Sequence, residues 1–238
     1  MLRLGVIGGM GAEATSYYYE QVIQHTDAQN DQEHVEMIIW SCSSMPDRTR
    51  AIKTGEHDEL LNKMHECATA LENLGCRNIA IPCNTSHYFY DQIQSFVSVP
   101  IIHMPRETVR YAMEGVLHPV PDGGVHRIGI MGTDGTVGAD VYGRECKAHG
   151  IEAVYPPAGL QKKVMSLIYD DIKAGKEPDL EKYHDVVRYF LMQGCDCVVL
   201  ACTELSVLCR YTDMPDYILD AMDVLVRESI IRSGARYR

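Results

Sequence analysis

The sequence lacks an apolar run long enough to cross a membrane. A membrane-spanning helix needs roughly 18 or more consecutive apolar residues, and no stretch of this chain approaches that length, although 46% of its residues are hydrophobic. The amino terminus passes directly into a strand-like run at residues 4–7, which leaves no room for a signal peptide and its cleavage site. We therefore expect a globular, cytoplasmic protein with no membrane partner.

Positive charge is also scarce. The chain contains 22 Lys and Arg against 33 Asp and Glu, which gives a formal net charge of -11. Proteins that bind nucleic acids concentrate Lys and Arg on one face, because the phosphate backbone supplies most of the attraction. The composition therefore argues against nucleic acid as a partner.

Motifs for common cofactors and metals are missing as well. No phosphate-binding loop with Gly-Lys-Ser or Gly-Lys-Thr is present, and the loose glycine fingerprint at residues 9–14 lacks the acidic residue that binds ribose after the second strand. The paired Cys-x2-Cys spacing of structural zinc sites is absent. No lysine has a context typical of a Schiff base with pyridoxal phosphate. We expect an activity that needs neither cofactor nor metal.

Cysteine, in contrast, is plentiful, with nine in the chain. Without an export signal these thiols are expected to stay reduced, so each is a core residue, a ligand or a catalyst before it is half of a disulfide. Cysteine in apolar surroundings packs as a small hydrophobic residue. This interpretation applies to Cys42, Cys67, Cys76, Cys195 and Cys197.

Strands alternate with helices along the first half of the chain. Such alternation is typical of a parallel sheet covered on both faces. The hydrophobic pattern predicts strands at 4–7, 35–41, 78–82 and 99–103, and helices at 13–25, 58–74 and 86–96.

The second half of the chain repeats the first. Residues 127–135 align without gaps with residues 3–11, and residues 194–202 align with residues 75–83. The predicted fold is therefore α/β, with two pseudosymmetric β/α domains that have mainly parallel sheets. We assign residues 1–117 and 124–220 to these domains, and we expect a helix within about 221–238 to return to the first. Ligands of such sheets bind at the carboxyl ends of the strands, so the active site is expected in the interdomain cleft.

Each half contains a predicted strand that ends in a cysteine, Cys83 or Cys202. Small polar residues typical of a helix amino terminus follow both, and such a terminus stabilises a thiolate. Racemisation removes a proton from one face of a carbon and returns one to the other, so it needs an acid and a base on opposite sides. Two opposed thiols meet this need. The alternative is that both are structural cysteines of the core.

The motifs around these cysteines resemble those of the cofactor-independent aspartate/glutamate racemase family, and most closely its aspartate racemase branch. The resemblance covers nearly the whole chain in order and implies a dimer that interconverts L- and D-aspartate, or glutamate, by proton transfer between thiol and thiolate. It rests on Gly8-Gly9-Met10-Gly11, Pro82-Cys83-Asn84-Thr85-Ser86-His87 and Ala201-Cys202-Thr203-Glu204.

The resemblance also implies roles for individual residues. Cys83 and Cys202 would be the acid and base, and Arg48 would hold a carboxylate of the substrate, although by its position Arg48 could instead be a solvated loop residue paired with Asp47. Lys163, or its neighbour Lys162, would contribute from the second half. The other expected substrate-binding residues are Met10, Asn84, Thr85, Thr133, Thr203 and Glu204.

Several alternatives remain open at this point. His87, four residues beyond Cys83, could accept its proton, orient it, or simply pack or cap. The same superfamily contains hydantoin racemases, maleate isomerases and arylmalonate decarboxylases, which use the cysteine positions for other substrates. A small-molecule binding module, in which the thiols need no reactivity, is a further alternative.

Overall fold

The computed structural model describes all 238 residues, which divide into two compact units. The first consists of Met1–Met104 and Met222–Arg238, and the second of Pro105–Ala221. Each unit is built on a parallel sheet, as the alternation of strands and helices predicts. None of the helices is both long enough and apolar enough to span a bilayer.

The first unit has a three-stranded parallel sheet of order β2-β1-β3. Its strands are β1 Leu4–Gly8, β2 Met37–Ser41 and β3 Asn78–Ala80. The fourth strand predicted at 99–103 is wrong, because only an isolated bridge joins Ile79 to Ile101. Pro100 lies within the predicted segment and has no N–H to donate, so a regular ladder cannot extend there.

The helices of the first unit follow the predicted pattern with two changes, because one predicted helix is divided and the helix at residues 48–54 was not predicted. They are α1 Ala12–His25, α2 Arg48–Thr54, α3 Asp58–Asn73 and α4 Tyr90–Ser95. α1 and α3 match predicted helices, and α3 turns Leu60, Met64 and Leu71 toward the core at helical spacing. The segment predicted as one helix at 86–96 is instead a 3-10 turn, Thr85–Phe89, followed by α4.

The second unit has a four-stranded parallel sheet of order β5-β4-β6-β7. Its strands are β4 Arg127–Gly132, β5 Glu152–Val154, β6 Cys197–Ala201 and β7 Ile218–Asp220. Its helices are α5 Met104–Glu114, which starts at the last residue of the first unit, α6 Asp134–Gly138, α7 Val141–Ala148, α8 Ala158–Ser166 and α9 Leu180–Met192. α8 continues into a π-helix, Leu167–Ile172.

The carboxy-terminal helix, α10 Ala221–Arg232, belongs almost entirely to the first unit. A buried hydrogen bond from Tyr18 Oη to Ser229 Oγ, 2.6 Å long, joins α1 to α10. Asn78 at the start of β3 donates to the carbonyl of Arg232 at 2.9 Å. These contacts fasten the end of the chain to the unit in which the chain begins.

The boundary between the units differs from the one that the sequence suggests. The structure groups residues 105–117 with the second unit, before the Pro- and Gly-rich loop at 118–124. Arg106 of α5 forms an ion pair with Glu145 of α7 at 3.2 Å, and Thr108 forms a hydrogen bond with Tyr142. The loop composition therefore marks a surface connection within the second unit.

The internal repeat is visible in the bonding around the central strand of the first unit. Arg3, just before β1, pairs with Glu36 at 2.6 Å and donates to the carbonyl of Leu74 at 2.7 Å. Gly75 follows with a φ of 84°, in the left-handed region that favours glycine. One arginine thus connects the starts of β1 and β2 to the turn before β3.

The same set of bonds recurs in the second unit. Arg127, which aligns with Arg3, pairs with Glu152 at 3.0 Å and donates to the carbonyl of Gln193. Gly194 then has a φ of 70°. Because side-chain contacts as well as glycines recur in register, the two units are structural repeats.

Candidate active site

Both cysteines of the predicted pair lie just beyond the carboxyl end of a strand. Cys83 follows β3 and Cys202 follows β6, and each residue is only 6% exposed. In the second unit Gly132 pairs with Ala201, so Thr133 and Cys202 leave the sheet side by side. The repeated topology therefore gives the two cysteines equivalent positions within their own units.

The segments after the cysteines differ from the predicted helix amino termini. The turn Thr85–Phe89 follows Cys83, and Leu205–Arg210 follows Cys202, and both are 3-10 helices. A short 3-10 turn aligns few peptide dipoles, so it stabilises a thiolate less than the start of an α-helix would. These turns therefore support a thiolate less than the predicted helix amino termini would.

A glycine turn positions Met10 in the first unit. Gly9 has a φ of 86°, and a Cβ atom there would lie 2.5 Å from the backbone carbon of Cys42, so only glycine fits. Met10, which is 3% exposed, packs in the same core cluster as Cys83. Its sulfur accepts a hydrogen bond from Ser86 Oγ at 3.4 Å. The structure thus brings the glycine turn and the segment after Cys83 together.

Arg48 is a buried residue at the start of α2, 9% exposed, and is therefore not a solvated loop residue. Its guanidinium donates to the carbonyl of Met10 at 3.1 Å and to that of Pro46 at 3.0 Å. The carboxylate of Asp47 caps α2 instead, by accepting from the N–H of Arg50 at 2.7 Å. Arg48 therefore joins Met10 in the cluster of the first unit.

The polar residues after Cys83 are also buried. Asn84 is 2% exposed and Thr85 is 6% exposed, at the start of the 3-10 turn. Buried amides and hydroxyls need hydrogen-bond partners. Their position next to Cys83 agrees with the substrate-binding role that the resemblance implies, which stays a prediction.

His87 contacts the backbone around Cys83. Its Nε2 accepts from the N–H of Met104 at 3.2 Å, which leaves the proton on Nδ1 to donate to the carbonyl of Cys83 at 3.0 Å. Burial lowers the pKa of His87, so the ring is neutral. These contacts give His87 the role of fixing the turn and leave neither ring nitrogen available to the thiol.

A carboxylate lies beside the second cysteine. The thiol of Cys202 donates to Glu204 Oε2 at 2.9 Å, and Thr203 Oγ1 is 3.4 Å from the same oxygen. The other oxygen, Oε1, is 3.3 Å from the ammonium of Lys173. Burial, followed by the negative charge of Glu204, raises the pKa of Cys202 well above its ordinary value.

Thr133 closes the end of β4 next to Cys202. It is 4% exposed, and its Oγ1 accepts from the N–H of Thr136 at 3.2 Å, which caps α6. Thr133 aligns with Gly9 of the first half. The structure therefore groups three predicted residues of this half, Thr133, Thr203 and Glu204, with Cys202.

Lys163 and its neighbour Lys162 lie on different faces of α8. The ammonium of Lys163 forms an ion pair with Asp185 of α9 and is 44% exposed. Lys162, the alternative, lines a cavity of about 460 Å³ together with Asp134, Gln161 and Tyr169. Gln161 donates from Nε2 to the carbonyl of Gly132, the last residue of β4, at 3.0 Å, and its Oε1 is buried with no hydrogen-bond partner. The cavity therefore borders the strand end at which Thr133 lies.

Comparison with protein families decides the class of this chain. The model of the family described as Asp/Glu/Hydantoin racemase matches residues 7–229. The chain belongs to that family. The resemblance drawn from the cysteine motifs is thereby confirmed, and the enzyme is an isomerase of the racemase type.

Known racemases resemble this one over nearly their whole length. The broad specificity amino-acid racemase RacX of Bacillus subtilis (strain 168) is 28% identical over 235 residues, which cover 95% of this chain and 96% of RacX. A structure of Picrophilus torridus aspartate racemase has a TM-score of 0.80 at 25% identity and covers 100% of this chain and 96% of its own. An aspartate racemase homologue from Pyrococcus horikoshii OT3 shares the fold at 24% identity, with a TM-score of 0.76 over 98% of this chain and 100% of its own.

The sequence of this racemase did not reveal Lys173. Glu204 directly follows the Cys-Thr motif, and the resemblance to the family was what indicated it. Lys173 comes just after the π-helix and reaches Glu204 only through the fold, and no local motif marks it. The structure contains no group of three or more His, Cys, Asp or Glu arranged to hold a metal ion.

Proposed function

We propose that this racemase interconverts L- and D-aspartate, with glutamate as a poorer substrate, by proton transfer between Cys83 and Cys202 and without a cofactor. The observation that carries the proposal is the repeat itself. Two buried cysteines follow equivalent strands of two repeated units, and buried polar residues come directly after each, Asn84 and Thr85 in the first unit and Thr203 and Glu204 in the second. Structural cysteines of a core would not require buried polar residues at both places.

The chemistry needs one thiolate and one thiol. The thiolate removes the α-proton from one face of the substrate, and the thiol donates its proton to the opposite face. The roles are exchanged in the reverse direction, because the two enantiomers present the α-hydrogen to opposite sides. The proton count balances, since one proton enters the protein and one leaves it in each turnover. No redox partner or metal is required.

Selection of an acidic substrate is assigned to two cationic residues. A planar guanidinium can bind a carboxylate bidentately, and Arg48 is already held beside Met10 in the cluster of the first unit. In the second unit we assign the same task to Lys162, which lines the cavity near Thr133. Lys163, whose ammonium is bound by Asp185, is the weaker choice.

A second candidate is a racemase of wide tolerance. The alignment with this chain covers 96% of RacX, which is described as a broad specificity amino-acid racemase. Such an enzyme would accept neutral amino acids at rates similar to aspartate. The two candidates share the thiol chemistry and differ only in how strongly the cationic residues select the substrate.

A panel of L- and D-amino acids, followed by chiral chromatography, tests the proposal. The purified enzyme should racemise aspartate in the presence of a chelator and without added pyridoxal phosphate, because the two thiols supply both acid and base. Activity that disappeared on chelation and returned with a metal would overturn the cofactor-free mechanism. Equal rates for alanine and aspartate would favour broad specificity, and activity on hydantoins alone would point to another branch of the family.

A further inference from the structure

We propose that Glu204 keeps Cys202 protonated in the resting enzyme, so that Cys202 is the acid, and Cys83 the base, of the first proton transfer. This inference rests on the proposed two-thiol racemisation. In it Glu204 contacts the reacting thiol directly, whereas Lys173 acts through Glu204 as a positioning residue.

The contact between Glu204 and Cys202 favours the thiol over the thiolate. A carboxylate can only accept a hydrogen bond, so the 2.9 Å contact to Oε2 requires the proton to be on sulfur. Ionising Cys202 would place two negative charges at this distance in a buried site. The pKa of Cys202 is therefore raised, and the thiolate forms only as the pH increases well above neutrality.

Lys173 forms the ion pair that offsets the cost of burying the Glu204 carboxylate. The side chain of Glu204 is 8% exposed, and burying a charge without a partner costs free energy. The ammonium of Lys173 lies 3.3 Å from Oε1 and 4.6 Å from the centre of the Tyr169 ring, which holds it over the site. Tyr142 of α7 also faces Cys202, but burial raises the pKa of its phenol and it stays neutral.

The first unit has no equivalent carboxylate. When the two cysteine motifs are aligned, the position of Glu204 is occupied by Thr85. The titratable neighbour in that motif, His87, contacts the carbonyl of Cys83 instead of its sulfur. The internal repeat is therefore broken at the residue that sets the charge of one sulfur, which makes the two thiols unequal.

The inequality gives the free enzyme a preferred direction. In the resting form Cys83 removes the α-proton of one enantiomer and Cys202 donates its proton to the opposite face. The products are a Cys83 thiol and a Cys202 thiolate, and proton exchange with water restores the resting form. Because enantiomers have equal free energies, kcat/KM must be the same in both directions. The preference therefore appears as unequal kcat values, matched by equally unequal KM values.

The rate at which iodoacetamide alkylates Cys202, followed by mass spectrometry of its peptide, measures the thiolate fraction. Glu204→Gln should lower the pKa of Cys202, because it removes the negative charge beside the thiol, and should raise the alkylation rate at neutral pH about tenfold. Lys173→Met should slow alkylation, because it leaves the charge of Glu204 unbalanced. Ultraviolet thiolate absorbance, taken as a difference from the Cys202→Ala counterpart of each variant, gives the same quantity without a reagent.

Glu177→Gln and Lys176→Met are matched controls, since they remove the same charges from exposed residues nearby. The inference is contradicted if Glu204→Gln alkylates no faster than Glu177→Gln, or if Lys173→Met alkylates faster than Lys176→Met. In the kinetic readout, Glu204→Gln should bring the kcat values for L- and D-aspartate closer together. Alkylation needs no substrate, so failure of the proposed racemisation and failure of this inference are observed separately.

Discussion

At the scale of single residues, Arg48 has a structural role, and we propose that it also selects the substrate. Its guanidinium spans the carbonyls of Met10 and Pro46, so it braces the glycine turn in the absence of substrate. A planar guanidinium can also bind a carboxylate bidentately. The two roles predict different effects of substitution.

Arg48→Ala should lower kcat/KM far more for acidic substrates than for neutral ones. Loss of a charge-assisted bidentate contact costs about 2–3 kcal/mol, which is roughly a 30- to 150-fold decrease in kcat/KM for aspartate. Steady-state kinetics with aspartate and alanine measures this selectivity. Arg48→Lys is the control, because it keeps the charge but loses the planar fork. Equal losses for aspartate and alanine would show that Arg48 only braces the turn.

The positions of residues in local motifs could be predicted from the sequence, and contacts that depend on the fold could not. Cys83 and Cys202 come after strand signals, and the resemblance to the family added Glu204, whose role stays a prediction. Lys173 meets Glu204 across the second unit, and the contact depends on where the π-helix ends. Sequence alone also left the burial of Arg48 open, since a loop arginine beside an aspartate is usually solvated.

At the scale of elements, the faces of α8 distinguish the two lysines that we consider for the site. Successive residues of an α-helix point about 100° apart, so neighbouring lysines cannot share a face. Lys163 is directed to Asp185 of α9, and Lys162 to the cavity beside Asp134 and Gln161. The hydrophobic pattern fixed neither face, because both residues are exposed.

Lys162→Met should raise the KM for aspartate about tenfold, the effect of losing an ionic contact worth about 1.4 kcal/mol. Lys163→Met is the matched control on the same helix. It should leave KM within about twofold and lower the free energy of unfolding by less than about 1 kcal/mol, because it breaks a surface ion pair. Steady-state kinetics and thermal melting of both variants show which face of α8 contacts the substrate. A larger effect of Lys163→Met on KM would reverse the assignment.

Two elements differ from those that the hydrophobic pattern predicts, because backbone hydrogen bonding determines where a strand or a helix can form. The apolar run at 99–103 has a strand composition, but Pro100 removes a donor and leaves only one bridge to β3. The segment after Cys83 has a helical composition, yet its first turn is a tight 3-10 helix. Both departures occur beside the site, where the chain must turn away from a strand end.

At the scale of the whole molecule, the repeat is the strongest prediction that the sequence allowed. Glycines at matching offsets are enough to identify the two units, and the arginine bonds at Arg3 and Arg127 extend the match to side chains. The unit boundary could not be predicted in the same way, because it depends on contacts of α5 with α7. Composition identified a loop at 118–124 but did not indicate which unit the residues before that loop belong to.

The central claim is that one thiol serves each face of the α-carbon, and single-cysteine variants test it most directly. Cys83→Ala and Cys202→Ala are each incubated with L- and with D-aspartate in deuterated water, and deuterium at the α-carbon and chirality are followed together. We predict that both variants lose racemisation, while at least one exchanges the α-hydrogen of a single enantiomer with retention. Variants that are both active should favour opposite enantiomers. Racemisation near the wild-type rate by either folded variant would contradict the two-thiol account.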